Sequence, residues 1–166
     1  MSETPVHDPD AGVPTIDPVV DTSIYPMPMF LRLEVSDLAR SRAFYTGALD
    51  MVELAVLPPS GPPFLVHLRR WRYQDLLLVP ARGPVSAAVG LGLSLAAEHD
   101  ALAGLAERAT AFGAPVEGPV DTPWNTTDVT VTDPDGLRIT YTARRPAERR
   151  DADFEAVVRS SVAARD

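Results

Sequence analysis

The chain has 166 residues, of which 45% are hydrophobic, and this is the length of one domain with tails. Its net charge of −8 leaves no basic stripe for phosphate groups, which argues against nucleic-acid binding. It has no cysteine, so disulfides, thiolate nucleophiles and sulfur-ligated metals are excluded. No apolar run reaches the roughly 20 residues of a membrane span, and we expect a cytoplasmic protein without a membrane partner.

Residues 1–25 differ from the rest of the chain. They contain four prolines and five acidic residues but no arginine. Because such a segment has too few large apolar groups to build a core, we expect a disordered or loosely draped acidic arm. The folded domain is expected over residues 26–143, followed by a C-terminal segment over residues 144–166.

The first predicted module covers about residues 27–80. It opens with a strand whose apolar and polar side chains alternate between residues 29 and 35. Ser36 is predicted to cap a helix that follows, with Asp37 in its first turn. Three further strands are predicted near residues 51–56, 64–71 and 73–79.

The second predicted module, about residues 88–143, repeats this order. A strand is predicted over residues 89–95 and an amphipathic helix over residues 100–112, which Gly113 ends in a left-handed conformation. Three strands follow, over residues 116–120, 127–132 and 137–143. The turn between the last two, Asp133-Pro134-Asp135-Gly136, is predicted to cap its own backbone and to have no chemical role.

The C-terminal segment is predicted to form a helix over residues 147–163. Its apolar side chains make a narrow stripe among charged residues. The stripe consists of Phe154, Val157, Val158 and Val162. It must cover either the chain's own body or a second subunit, and the sequence leaves both open.

Three motifs resemble those of the vicinal oxygen chelate superfamily, which contains glyoxalases, bleomycin-resistance proteins and ring-cleaving dioxygenases. They are the Phe44-Tyr45 pair in the first helix, Pro123-Trp124 before a strand, and the Asp-Pro-Asp-Gly turn after that strand. The resemblance implies an α+β fold of two βαβββ modules. Each module would form a curved half-barrel of mixed sheet, and the halves would enclose a ligand cavity. It also implies a homodimer.

Metal-dependent members of that superfamily place a His or Gln early in the first strand of a module and a Glu in the last. The corresponding positions here are Phe30 and Thr140. The remaining candidates, His67, Asp75 and Glu34, are too few and too scattered for the three or four ligands that such a site needs. We therefore expect no metal and no cofactor, as in the metal-free, bleomycin-resistance-like branch.

The first strand places Phe30, Arg32 and Glu34 on the face opposite the one expected to pack on helices. They line the cavity in one interpretation, and in the other Arg32 and Glu34 form an exposed ion pair that contributes little. His67, alone on its strand, is either structural or a ligand contact and base.

Two tryptophans and four polar residues complete the candidate ligand site. Trp71 and Trp124 either stack on an aromatic ligand or fill the core. Asn125 and Thr127 stand where relatives commonly have Gly and Arg. The ligand of any one relative is therefore not expected to be the ligand of this chain. The polar candidates are Asn125, Asp128, Arg138 and Thr140.

These residues favour a metal-independent binding protein for a small organic molecule. We expect an aromatic ligand, as in the sequestration of an antibiotic or natural product. The alternative is a metal-free enzyme that catalyses proton transfer, isomerisation or cyclisation, with His67 or Glu34 as the base and Arg32 stabilising an oxyanion. A metal-dependent lyase or dioxygenase is disfavoured by the missing ligands.

Overall fold

The computed structural model describes residues 20–86 and 91–163, without the side chains of residues 162 and 163. The first module contains strand β1, helix α1 and strands β2, β3 and β4, and the second contains β5, α2, β6, β7 and β8. A 3-10 turn at Ala147–Arg149 and helix α3 follow. Their bounds are β1 Phe30–Val35, α1 Leu38–Gly47, β2 Val52–Leu57, β3 Leu65–Arg69, β4 Asp75–Pro80, β5 Leu93–Ala96, α2 Ala101–Ala111, β6 Val116–Asp121, β7 Thr126–Thr132, β8 Arg138–Arg144 and α3 Ala152–Ala163.

The two modules form two four-stranded sheets with the same topology. The strand orders are β1-β4-β3-β2 and β5-β8-β7-β6. In each sheet the first strand of the module runs parallel to the last, and the other neighbours are antiparallel. The predicted α+β fold of two βαβββ modules with a C-terminal helix is therefore confirmed.

Each sheet turns one face towards the helices, and these inner faces share one core. On the first sheet, Val35, Leu68 and Leu78 pack in the same cluster as Tyr45 of α1. The second sheet contributes residues such as Tyr141, whose hydroxyl donates to the carbonyl of Leu49 in the first module. The alternation predicted for β1 is present, because Val35 is buried while Phe30, Arg32 and Glu34 are exposed. The hydrophobic effect thus holds the modules together through their inner faces.

The cap of α1 differs from the prediction. Asp37, not Ser36, is the N-cap, and its carboxylate accepts from the backbone N–H of Arg40 at 2.9 Å. The backbone N–H and hydroxyl of Ser36 instead donate to the carboxylate of Asp135. Ser36 is therefore used to join the first module to the Asp-Pro-Asp-Gly turn of the second.

That turn caps its own backbone as predicted and also joins the modules. Asp133 Oδ1 accepts from the backbone N–H groups of Asp135 and Leu137 at 2.9 and 2.7 Å. Its Oδ2 accepts from the Tyr45 hydroxyl at 2.8 Å. Burial and this carboxylate raise the pKa of the Tyr45 hydroxyl far above its ordinary value.

The second module's helix ends as the sequence predicts, and the C-terminal helix begins later. Gly113 has a φ of +80°, the left-handed conformation expected after α2. The predicted helix over residues 147–163 is interrupted at Arg150, whose backbone is extended, and α3 starts at Ala152. Asp151 Oδ1 caps it by accepting from the backbone N–H of Asp153 at 2.9 Å. Side-chain capping thus determines where this helix starts.

The start of α3 is attached to the second module, while part of its apolar stripe is exposed. Glu155 pairs with Arg144 of β8 at 3.5 Å. Val157 and Val158 of the stripe are exposed. The side chain of Val162, and residues 89 and 90 of the predicted fifth strand, lie outside the described residues.

Candidate functional site

The predicted site residues of the strands lie on the faces opposite the helices, which we call the outer faces of the two sheets. On the first sheet, register places Phe30 beside Asp75 and Arg69, and Arg32 beside His67 with Leu77 between them. On the second sheet, Asp128 lies beside Thr142, Thr130 beside Thr140, and Thr132 beside Arg138. The structure therefore divides the predicted site between two sheets.

A buried ionic cluster lies on the outer face of the first sheet. Asp75 Oδ1 accepts from Arg69 Nε at 2.8 Å and lies 2.7 Å from His67 Nε2. Because an ionised carboxylate only accepts, the contact assigns a proton to Nε2 of the imidazole. The exposed fractions of His67, Arg69 and Asp75 are 3%, 1% and 3%. These three side chains are thus withdrawn from solvent in this conformation.

The acidic arm supplies the remaining partners of Arg69. Its Nη1 donates to the carbonyls of Asp21 and Ser23, both at 2.7 Å, and its Nη2 donates to that of Ile24 at 3.3 Å. The carboxylate of Asp21 folds this segment by accepting from the backbone N–H and hydroxyl of Ser23. These hydrogen bonds hold the pKa of Asp21 below its ordinary value. Residues 21–24 therefore lie against Arg69 and cover it.

Arg32 and Glu34 form an ion pair with 3.0 Å between Nη2 and Oε1, and more than half of each side chain is exposed. Both border a cavity of about 390 Å³ where the modules meet, with Leu91 and Asp135 on other sides of it. The exposure of the pair agrees with the interpretation as a surface ion pair. Its position agrees with the interpretation in which these residues line a cavity. An exposed pair of this kind contributes about 0–1 kcal/mol.

The two tryptophans occupy different environments. Trp71 is buried with only 8% exposed, and the Arg70 guanidinium lies 4.5 Å from its ring centroid and 4.8 Å from that of Tyr141. This sandwich lies between the modules, so Trp71 contributes to their packing. Trp124 is 56% exposed at the end of the turn before β7.

Asn125, also predicted to contact ligand, has a structural role. Its φ of +64° makes the turn before β7. Its side-chain amide donates to the carbonyl of Asp151 at 3.0 Å, and its side-chain oxygen accepts from the backbone N–H of Asp151 at 2.7 Å. The same oxygen accepts from Arg145 at 2.8 Å. Asn125 thus connects the turn to the start of α3.

The outer face of the second sheet carries a hydroxyl network around one carboxylate. Asp128 Oδ1 accepts from the hydroxyls of Thr126 and Thr142 at 2.8 and 2.7 Å. The hydroxyls of Thr130 and Thr140 are 2.9 Å apart. All five side chains are partly exposed. This face is therefore polar, preorganised and open to solvent.

Arg138 lies on the same face and is already paired. It donates two hydrogen bonds to the carboxylate of Glu117, at 2.7 and 2.9 Å. The pKa of Glu117 is held below its ordinary value by these bonds. The guanidinium charge of Arg138 is therefore compensated within the sheet.

Another cavity, of about 440 Å³, lies on the helix side of the fold. Phe44, Phe112, Pro115 and Pro134 form apolar walls, and Arg40 lies at its edge. Arg40 is paired with Asp135 at 3.3 Å. This cavity is separate from the predicted site, because none of the predicted site residues lines it.

Sequence reasoning missed the role of Arg69 and of the two threonines that donate to Asp128. A signal was present for Arg69, since it lies directly after Leu68 on a strand that pairs with the apolar strand β4. An arginine buried at such a position requires a carboxylate and other acceptors. Spacing also pointed to Thr126 and Thr142, because residues two apart on a strand share a face. The sequence predicts Asp75 only as a candidate metal ligand, whereas its carboxylate pairs with His67 and Arg69.

The side chains that the structure describes do not fit a divalent metal. Within residues 20–86 and 91–163, no three His, Asp or Glu side chains are grouped as such a site requires. His67 Nε2 and Asp75 Oδ1 are directed at each other, and the Arg69 guanidinium that donates to the same oxygen would repel a cation. Glu34 pairs with Arg32 on strand β1.

No helix among the described residues is long and apolar enough to cross a membrane.

Two βαβββ modules whose inner faces share one core define the class of protein as a paired-module α+β fold. The family profile of the Glyoxalase/Bleomycin resistance protein/Dioxygenase superfamily matches residues 28–141. The chain belongs to this superfamily, and the resemblance stated from its motifs is confirmed.

Solved structures share the fold at low sequence identity. TnmS3 from Streptomyces sp. CB03234, described as an antibiotic binding protein, has a TM-score of 0.57 and 22% identity over 74% of this chain and 98% of its own. TioX from Micromonospora sp. ML1 has a TM-score of 0.56 and 21% identity over 70% and 97%. The fosfomycin resistance protein FosX from Listeria monocytogenes has a TM-score of 0.58 and 14% identity over 76% and 100%. A search of curated proteins gives no match.

Proposed function

We propose that this protein binds a small organic molecule without a metal ion and does not transform it. An antibiotic or other aromatic natural product, captured by a cytoplasmic homodimer, is the concrete form of the proposal. The observation that carries it is the outer face of the second sheet, where hydrogen bonds hold Asp128 and its threonines in fixed positions. Such preorganisation reduces the entropy that a binding site must lose.

The comparisons support this proposal at the level of the superfamily. TnmS3 is described as an antibiotic binding protein, and FosX as a fosfomycin resistance protein. Capture requires only burial of apolar ligand surface, at about 25 cal/mol per Å², together with a few polar anchors. The homodimer is supported by the exposed Val157 and Val158 of α3, which a second copy could cover.

Tryptophan fluorescence can test capture, because Trp124 is exposed while Trp71 is buried. We expect saturable quenching by one member of a panel of aromatic natural products, with one ligand per chain. Trp124→Phe separates quenching at this residue from quenching at Trp71. Affinity that is lost with a chelator and restored by a divalent ion would contradict metal independence.

A metal-free enzyme remains the second candidate because His67 has an orienting partner. The 2.7 Å contact with Asp75 supplies what a catalytic imidazole needs. His67 is buried, so a substrate could reach it only after the residues that cover it move. Mass spectrometry of the recovered ligand decides between the candidates: an altered ligand, together with loss of turnover but not of binding in His67→Ala, establishes the enzyme.

A further inference from the structure

We propose that the outer face of the second sheet selects a ligand that bears a protonated amine or a similar cationic hydrogen-bond donor, with Asp128 as its anchor. This inference rests on the proposed binding function and names its ligand class. It follows from the direction of the hydroxyl protons and from the charges on the same face.

The hydroxyl protons around Asp128 are directed inward. An ionised carboxylate can only accept, so Thr126 and Thr142 must each give their single hydroxyl proton to Asp128 Oδ1. The Thr122 hydroxyl lies 2.9 Å from that of Thr126, and it must donate there because the Thr126 proton is already used. These three hydroxyls therefore have no proton left for a ligand and can offer it only lone pairs.

Asp128 retains a free acceptor beside them. Both hydrogen bonds described for its carboxylate reach Oδ1, and no described residue donates to Oδ2. The side chain is partly exposed, and Oδ2 is not among the enclosed polar atoms without a partner, so solvent reaches it. A ligand at this point meets one ionised oxygen and the lone pairs of threonine hydroxyls, which together suit a donor with several protons, such as an ammonium group.

The arginines of this face are compensated by acidic partners. Arg138 is held by Glu117 through two hydrogen bonds, and Arg144 pairs with Glu155 at 3.5 Å. In contrast, no salt bridge with an arginine or histidine is described for Asp128 among residues 20–86 and 91–163. An anionic ligand would therefore face an uncompensated carboxylate, while a cationic ligand would compensate it.

Apolar surface adjoins the anchor. The register pairs Asp128 with Val120 on β6, and Val120 is 58% exposed. On the other side, Thr142 is paired with Ala96 of β5. A cation on Asp128 thus lies beside the exposed Val120, with Ala96 one strand beyond Thr142, which fits an amine attached to a hydrophobic or aromatic body.

Three probes of similar shape test this class: a naphthylmethyl ammonium ion, the corresponding naphthyl alcohol and naphthylacetate. Isothermal titration calorimetry measures each against the full chain. We expect the ammonium probe to bind tightest and the carboxylate weakest. Asp128→Asn should lower the affinity for the ammonium probe about tenfold, the usual size of one charged hydrogen bond. It should not lower the affinity for naphthylacetate.

Two further variants control the measurement. Glu148→Gln removes the same charge from the 3-10 turn, outside the face, and should leave the ammonium affinity within about twofold. Glu117→Gln leaves Asp128 intact but frees the positive charge of Arg138. The affinity should therefore fall for the ammonium probe and rise for naphthylacetate, each about two- to threefold. This variant tests the proposal even if Asp128→Asn fails to fold.

The outcomes separate the two proposals. Equal affinities for the three probes, or an Asp128→Asn variant that binds the ammonium probe unchanged, would overturn the cationic anchor while leaving small-molecule binding in place. If neither the probes nor the panel of natural products bind, the proposed function falls and the anchor falls with it.

Discussion

The two sheets have the same topology, but their outer faces carry charged groups of opposite sign. On the first, the Arg69 cation is buried, and Asp75 together with three arm carbonyls supplies its acceptors. On the second, the Asp128 anion is partly exposed and its acceptor Oδ2 receives no hydrogen bond from the described residues. The two modules therefore differ although their topology is the same, because the chain covers the charged group on one outer face and leaves the one on the other partly exposed.

The difference follows from how each charge is satisfied. A buried guanidinium must be paired and hydrogen-bonded, because its desolvation costs several kcal/mol otherwise. A carboxylate at an open face keeps its hydration until a ligand replaces it. The first face should thus contribute mainly to stability, and the second mainly to binding.

The largest expected effect comes from removing the carboxylate under the arm. Asp75→Ala leaves the Arg69 charge buried without its partner, and we expect a loss of about 3–5 kcal/mol in the free energy of unfolding. Asp128→Ala is the matched control on the open face and should change it by less than about 1 kcal/mol. Urea denaturation measures both, and equal losses would abolish the distinction between the faces.

A smaller effect is expected from removing the arm. Deletion of residues 1–24 takes away the carbonyls of Asp21, Ser23 and Ile24, and we expect a loss of about 1–3 kcal/mol in unfolding free energy. Diethylpyrocarbonate should then modify His67 faster. Deletion of residues 1–19 is the control, since it keeps these carbonyls, and the same reactivity in both deletions would show that the arm does not protect His67.

The smallest effect concerns the ion pair that neutralises Arg138. The hydrogen bonds from Arg138 place the pKa of Glu117 below its ordinary value of 4.5. The pair therefore stabilises the fold above about pH 4.5, and its contribution disappears as the pH falls through the lower folded pKa. Carbon NMR of the Glu117 carboxylate should detect this low titration midpoint, and Arg138→Gln should return the midpoint towards 4.5. A midpoint that Arg138→Gln leaves unchanged would mean that Arg138 carries free charge on this face.

Local sequence patterns predicted most of the elements but not their ends. Alternation identified β1 and helical spacing identified α2, because these periods reflect how side chains meet a core. The cap of α1 was assigned to Ser36 since Ser and Asp are both good caps, and only the position of Asp135 assigned Ser36 to another partner. The prediction for the start of α3 is wrong because Asp151 caps this helix and is itself held by Asn125, 26 residues earlier in the chain.

The candidate site shows the same division. Sequence named Asp128, Arg138 and Thr140 as separate polar candidates, and only the register of β7 and β8 brings them onto one outer face. It could not show that Asp21 to Ile24 cover Arg69, since that contact joins residues more than 40 positions apart. It also could not divide the tryptophans between a buried Trp71 and an exposed Trp124.

The sequence by itself determined the superfamily, the two βαβββ modules and the two faces of strand β1, because periodicity and turn motifs are local. The tertiary structure alone decided which outer face the chain covers and which stays open. That choice depends on distant partners: arm carbonyls satisfy Arg69, whereas neighbouring threonines orient Asp128 and leave one of its oxygens accessible.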